Sequence, residues 1–144
     1  MNLPQRATVR VSHRFKASPE RVFDAWLDPK RAGKWLFATP TGEMVRAEID
    51  ARVGGSFLFV DRRNGEDVEH VGKYLEIDRP RRLVFTFAVP KFSAELTTVT
   101  INIVAEGTGA ELTLTHEGVL PDRAERVEQG WGMILDRLAV TLGL

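Results

Sequence analysis

Apolar and polar residues follow two different periods along this chain, and each change of period marks a change of element. The longest helical pattern is the last. Ala124, Val127, Trp131, Ile134, Leu135, Leu138 and Leu142 recur at spacings of three and four, which predicts an amphipathic helix over Asp122 to Leu142 with one apolar stripe. Pro121 precedes it, Asp122 is placed to cap it, and Glu125 stands three residues on, where a capping-box carboxylate belongs. Arg123, Arg126, Glu128 and Asp136 mark the opposite, water-facing side. Gly130 and Gly132 flank Trp131 in mid-helix, and each costs roughly 1 kcal/mol against alanine. They are either tolerated weak points or places where a second backbone or a ligand comes close to Trp131. The second reading is preferred.

Upstream the period is two. Thr8 to Lys16 puts Val9, Val11, His13 and Phe15 on one parity and Arg10, Ser12 and Arg14 on the other, a half-buried strand. Ser18-Pro19-Glu20 then starts a short helix with Ser18 as cap, and Val22, Phe23, Trp26 and Leu27 form its apolar face. Asp28-Pro29 restarts the chain in the same way, and a second short helix runs through Ala32 to Trp35. After a loop from Leu36 to Gly42, strands are predicted over Met44 to Asp50, Val53 to Asp61, Val68 to Ile77, Leu83 to Val89, Thr97 to Glu106 and Glu111 to Glu117. Gly54-Gly55 leads into a strand, not a helix, so it reads as a bulge or bend that lets the sheet curl and not as a phosphate cradle. Asn64-Gly65 is a two-residue hairpin signal. Its flanks, Asp61-Arg62-Arg63 and Glu66-Asp67, are charged, and the Glu66 and Asp67 carboxylate pair reads as a solvated turn in preference to acid/base chemistry. Pro90-Lys91-Phe92 opens a loop, Gly107-Thr108-Gly109 a turn, and Gly118 ends the last strand. Short connections require antiparallel pairing, and the long helix must bury its stripe against the inner face of the sheet. The fold class is therefore α+β, with about six to seven strands around a C-terminal helix and two short helices after strand 1.

Composition narrows the class without naming a function. The chain has 144 residues, which is read as one domain over 1–144 with a core of ordinary size. Lys plus Arg (20) balances Asp plus Glu (20), so no charge excess favours nucleic acid or an anionic membrane surface. With no cysteine, disulfides and thiolate chemistry are excluded. The start of the chain has no signal-peptide core, and no apolar run reaches the roughly 18 residues of a membrane span. A soluble, cytoplasmic protein without cofactor is expected.

The candidate site follows from aromatic and aliphatic residues on strands that face one helix. Trp35, Phe37, Phe57, Phe59, Tyr74, Phe85, Phe87, Trp131 and Leu135 are candidates to line a hydrophobic cavity, and Tyr74 and Trp131 carry polar handles that would orient a ligand. Each of them is also a plausible core residue; the set is stronger than its members. His116 shares the inward parity of Leu112 and Leu114. It either contacts a ligand, as hydrogen-bond partner or acid/base, or fixes the loop before Pro121, and the structural role is preferred. His13 reads as a rim histidine. The face of His70 is ambiguous, because Val71, Leu75 and Ile77 take the other parity. The three histidines lack metal-ligand spacing, and no serine sits in a nucleophile-elbow frame.

Several segments together resemble the START-like (SRPBCC) superfamily. They are Ser18-Pro19-Glu20-Arg21-Val22-Phe23-Asp24-Ala25-Trp26, Lys34-Trp35, Val53-Gly54-Gly55-Ser56-Phe57, Gly72-Lys73-Tyr74-Leu75-Glu76-Ile77, Thr113-Leu114-Thr115-His116-Glu117-Gly118 and Gly130-Trp131. The resemblance is greatest to the branch named after the C-terminal domain of the activator of the heat-shock-protein-90 ATPase. It implies a helix-grip fold with a cavity between sheet and helix. It does not imply one activity, because the superfamily holds lipid carriers, hormone receptors, polyketide cyclases and co-chaperone domains. Three readings follow, in order of preference. The first is binding of a hydrophobic or amphipathic small molecule in the cavity, in which case Trp131→Ala lowers affinity more than it perturbs the fold. The second is a cyclase- or hydratase-type enzyme using His116 with Tyr74. The third is a chaperone-ATPase activator working through the sheet exterior. Pairing of two copies through an exposed strand edge is left open.

Overall fold

The computed structural model describes residues 5–144. Its elements run β1 (Ala7–Phe15), α1 (Pro19–Asp24), α2 (Pro29–Trp35), β2 (Glu43–Ile49), β3 (Ser56–Arg63), β4 (Glu66–Asp78), β5 (Arg82–Val89), β6 (Ser93–Glu106), β7 (Gly109–Val119), a single 3-10 turn (Pro121–Arg123) and α3 (Ala124–Thr141). The seven strands form one antiparallel sheet in the order β1-β7-β6-β5-β4-β3-β2. Consecutive hairpins build β2 through β7. Strand β1 pairs with β7, so α1 and α2 carry the chain from one edge of the sheet to the other. This is the helix-grip arrangement.

Local chemistry accounts for the short helices. Ser18 Oγ accepts from the Arg21 amide at 3.3 Å, Asp28 Oδ1 accepts from the Lys30 amide at 3.0 Å, and Pro19 and Pro29 take the first helical positions. Asn64 and Gly65 both have positive φ (51° and 80°), the backbone of the tight hairpin turn that Asn-Gly favours. Around that turn Glu66 pairs with Lys91, and Asp67 accepts from Arg62 Nε at 2.8 Å on the exposed surface.

Four expectations are corrected. Asp122 does not cap α3: Pro121 imposes a 3-10 turn, Arg123 occupies the cap position, and no side chain caps it. Of the two readings of Gly54-Gly55 the bend holds and the bulge does not, and β3 starts after the pair, at Ser56. The pair lies in the β2–β3 turn, with Gly54 at φ 85°, and its backbone exchanges hydrogen bonds with Tyr74 (Gly54 N to Tyr74 O, 2.8 Å; Tyr74 N to Gly55 O, 2.9 Å). The loop after Pro90 is shorter than expected, because β6 begins at Ser93 and pairs there with Val89. Nothing crowds Gly130 or Gly132: a Cβ at either would meet no atom within 4 Å. No second backbone approaches them.

Inner-face side chains of the sheet and the stripe of α3 form the core. Trp26, Trp35, Phe23, Phe59, Leu83, Ile101, Leu112, Leu114, Leu135 and Leu138 are all fully buried. Trp26 and Trp35 meet edge to face at 4.7 Å and an interplanar angle of 87°, a favourable aromatic geometry. They seal the end of the sheet where α1 and α2 cross.

Candidate functional site: a cavity under the middle of α3

Along β3, β4 and β7 the inward parity changes character toward one end of the sheet. On β3 it runs Phe57, Phe59, Asp61, Arg63; on β7 it runs Leu112, Leu114, His116. On β4, read from its other terminus, it runs Tyr74, Gly72, His70, Val68. The polar members gather where β3, β5 and β7 end and where β4 and β6 begin. There the middle of α3 lies over a cavity of about 350 Å³. Phe37, Thr39, Arg63, His70, Phe87, His116, Val127, Gly130, Trp131, Ile134 and Arg137 line it, and Phe92 and Met133, both more than half exposed, stand at its mouth. A recess of about 170 Å³ adjoins it and shares Phe87, His116 and Val127.

The candidates separate into two groups. Phe37, Phe87, His116 and Trp131 meet at the cavity. Phe57, Phe59, Tyr74 and Phe85 surround a void of about 10 Å³, which Phe37 also touches and which is too small to hold even one water comfortably. Trp35 and Leu135 are fully buried core residues outside the cavity lining. Tyr74 and His116, the pair proposed for acid/base work, therefore line different spaces, and burial raises the tyrosine pKa.

A relay holds His116. Trp131 Nε1–H donates to His116 Nδ1 at 3.0 Å, His116 Nε2 lies 2.7 Å from Thr97 Oγ1, and Thr97 Oγ1 donates to the Phe87 carbonyl at 2.9 Å. Since an indole can only donate, Nδ1 is the acceptor, and the proton of the neutral ring sits on Nε2 and points at Thr97. Every polar atom of the ring is used. Burial lowers the His116 pKa to about 4, as desolvation does for a cation-forming group. The residue ties α3 to β6 and β7 rather than fixing the loop before Pro121. Trp131, 4% exposed, is held in the same way, so Trp131→Ala would disturb the fold along with the cavity.

Sequence patterning missed the other polar cluster. Asp61 is fully buried. Its Oδ2 accepts from Thr39 Oγ1 and from Arg63 Nε, each at 2.8 Å, and its Oδ1 has no partner. Arg63 Nη2 reaches the Phe37 carbonyl at 3.3 Å and His70 Nε2 at 3.4 Å. A guanidinium only donates, so His70 Nε2 accepts and the proton falls on Nδ1, which is buried without a partner. Burial first, then the Arg63 charge, lowers the His70 pKa to about 4. Asp61 and Arg63 thus face inward and are more than the flank of a hairpin. The signal was present: Asp61 has the parity of Phe57 and Phe59. His70 was hidden by a register shift between Tyr74 and Glu76 on β4, which resets the parity and leaves Leu75 51% exposed while Ile77 packs on the core.

Loop geometry completes the wall. Phe37 has φ 60°, a region that costs a bulky L-residue roughly 1–2 kcal/mol. Its ring lies parallel to Phe87 (4.9 Å, 1°) and to His70 (4.7 Å, 12°), contacts that offset the strain. Gly42 packs so closely over Thr39 and Asp61 that a Cβ there would collide with Thr39 Oγ1.

This geometry coincides with a known family. Residues 16–143 match the family model described as Activator of Hsp90 ATPase homolog 1-like protein. The chain belongs to that family, within the START-like superfamily. Among solved structures it is similar to a Chromobacterium violaceum protein (28% identity, TM-score 0.82, covering 92% of this chain and 94% of that one). It is also similar to a protein of unknown function from Staphylococcus aureus (18%, TM-score 0.85, 96% and 94%) and to an AHSA1-like protein from Aeromonas hydrophila (19%, TM-score 0.82, 95% and 92%). The last two likenesses concern the fold. No curated protein matches the chain. Among the described residues no group of three His, Cys, Asp or Glu is arranged to hold a metal, and no helix is long and apolar enough to cross a membrane.

Proposed function

We propose that this family member, acting as one domain, binds a hydrophobic or amphipathic small molecule between its sheet and α3. The observation that carries this reading is the cavity of about 350 Å³, whose walls are mainly aromatic and aliphatic, next to a core that is otherwise tightly filled. Its volume falls within the range of roughly 300–1,000 Å³ usual for small-molecule sites. Binding is favoured over catalysis at this site because both cavity histidines are buried and neutral, and the ring atoms of His116 are all engaged. The family description names an ATPase activator; a chaperone contact through the outer surface would give the lined space no use.

The test is native mass spectrometry with thermal unfolding, before and after incubation with a mixed set of lipids, flavonoids and polyketides. A retained adduct that raises Tm is expected, because a ligand at 100 times its Kd stabilises the folded state by about 2.7 kcal/mol. Ile134→Trp, which fills the cavity from α3, should fold and lose both effects. An adduct that survives this substitution unchanged would place binding elsewhere and overturn the reading.

A further inference from the structure

Resting on that reading of the cavity, we propose that the ligand is an amphipathic anion, with an apolar body against Phe37, Phe87 and Trp131 and a carboxylate-class head group on Arg137. The argument is one of charge. The cavity lining contains two guanidinium groups, Arg63 and Arg137, and no Asp or Glu. Arg63 is matched from behind by Asp61 at 2.8 Å. Arg137 has no ion-pair partner among the described residues: neighbouring Asp136 is taken by His13 at 3.2 Å. Glu95, in the adjoining recess, is paired with Arg6 at 2.8 Å. His70 and His116 accept hydrogen bonds through ring nitrogens and add no positive charge. Arg137, a half-buried residue, follows Val127, Gly130 and Ile134 on one face of α3 at helical spacing and closes an otherwise apolar row. A cationic ligand would meet two guanidinium groups and no lining carboxylate. A neutral one would leave Arg137 unpaired. An anion completes it through a charge-assisted hydrogen bond.

The experiment is isothermal titration at pH 7.5 with three probes that share one tail: decanoate, 1-decanol and decyltrimethylammonium. Decanoate should bind about tenfold or more tightly than decanol, and the cation most weakly. Arg137→Met should remove the decanoate advantage while leaving decanol within about twofold. Arg137→Lys should keep most of it, and Arg126→Gln, exposed on α3 and outside the cavity, should change nothing. Equal affinity for decanoate and decanol, or an equal loss of both in Arg137→Met, would overturn the anionic head group while leaving the cavity reading intact. If none of the three binds, the cavity reading falls and the head group falls with it.

Discussion

The two ends of the sheet's inner face are built from the same strands and have opposite character. Toward the crossing of α1 and α2, Phe57, Phe59, Phe85, Leu112 and Leu114 close on Trp26, Trp35, Leu135 and Leu138, and the void among Phe57, Phe59, Tyr74 and Phe85 is about 10 Å³. A few residues away on those strands stand Asp61, Arg63, His70, Thr97 and His116, and the space is about 350 Å³. Polar side chains explain the difference. Each must keep its hydrogen bonds when buried, so it is held by neighbours such as Thr39, Phe37 and Trp131 and cannot collapse onto α3 as a leucine would. Gly130 adds to the opening by presenting no side chain there. One end stabilises the fold; the other is held open by a framework of hydrogen bonds.

The largest contrast should come from truncation. Leu114→Ala or Leu135→Ala at the packed end should cost about 3–4 kcal/mol, within the usual range for buried leucines. Ile134→Ala or Val127→Ala, beside existing space, should cost less than about 1.5 kcal/mol. Urea unfolding of the four variants compares them directly, and equal losses would remove the distinction between the ends.

Acidity should act on the open end. His70 and His116 have folded pKa values of about 4, below the unfolded value near 6.5. The unfolded chain therefore binds more protons between those values, so the stability due to the neutral rings is complete above about pH 6.5 and is lost as pH falls toward 4. The loss is on the order of 3 kcal/mol for each ring. Urea midpoints between pH 7.5 and 4 should show it, and His70→Phe, which keeps the stack on Phe37, should remove about half of the slope.

Smaller effects sharpen the picture. Trp131→Phe deletes the donor to His116 Nδ1 and should cost about 1–3 kcal/mol, with the imidazole resonances of His116 shifting in NMR spectra. Gly130→Ala and Gly132→Ala have open space around them and should each stabilise α3 by up to about 1 kcal/mol, read as a rise in Tm. Destabilisation by either would mean that the helix there needs glycine for a reason other than space.

Much of this architecture was legible in the chain. Period-two stretches, Asn64-Gly65, and the caps Ser18 and Asp28 are local signals, set by side-chain alternation and backbone preference; the turn and the caps appear where the pattern put them, and each strand appears with its ends shifted by up to four residues. The stripe from Val127 to Leu142 likewise specifies which face of α3 is buried, because a helix has only one way to turn six apolar residues inward. The start of α3 was misplaced, since Pro121 and Asp122 fit a 3-10 turn as well as a helix start.

The site was less legible, and the reason is register. Aromatic identity alone does not separate Phe57 from Phe37: both are buried, but only one faces the cavity. That difference depends on how far along the sheet each residue lies relative to α3, and strand pairing decides it across residues distant in sequence. Phe59 opposes His70, Phe87 opposes Thr97, and Val99 opposes His116. A single register shift on β4 was enough to hide the side on which His70 lies. Alternation along a strand reports a face, never a height. The chain's own pattern determined a helix gripped by an antiparallel sheet, because those choices are local. Tertiary pairing alone gathered Asp61, Arg63, His70 and His116 at one level and left Arg137 without a carboxylate among the described residues, because proximity between strands is a property of the assembled sheet.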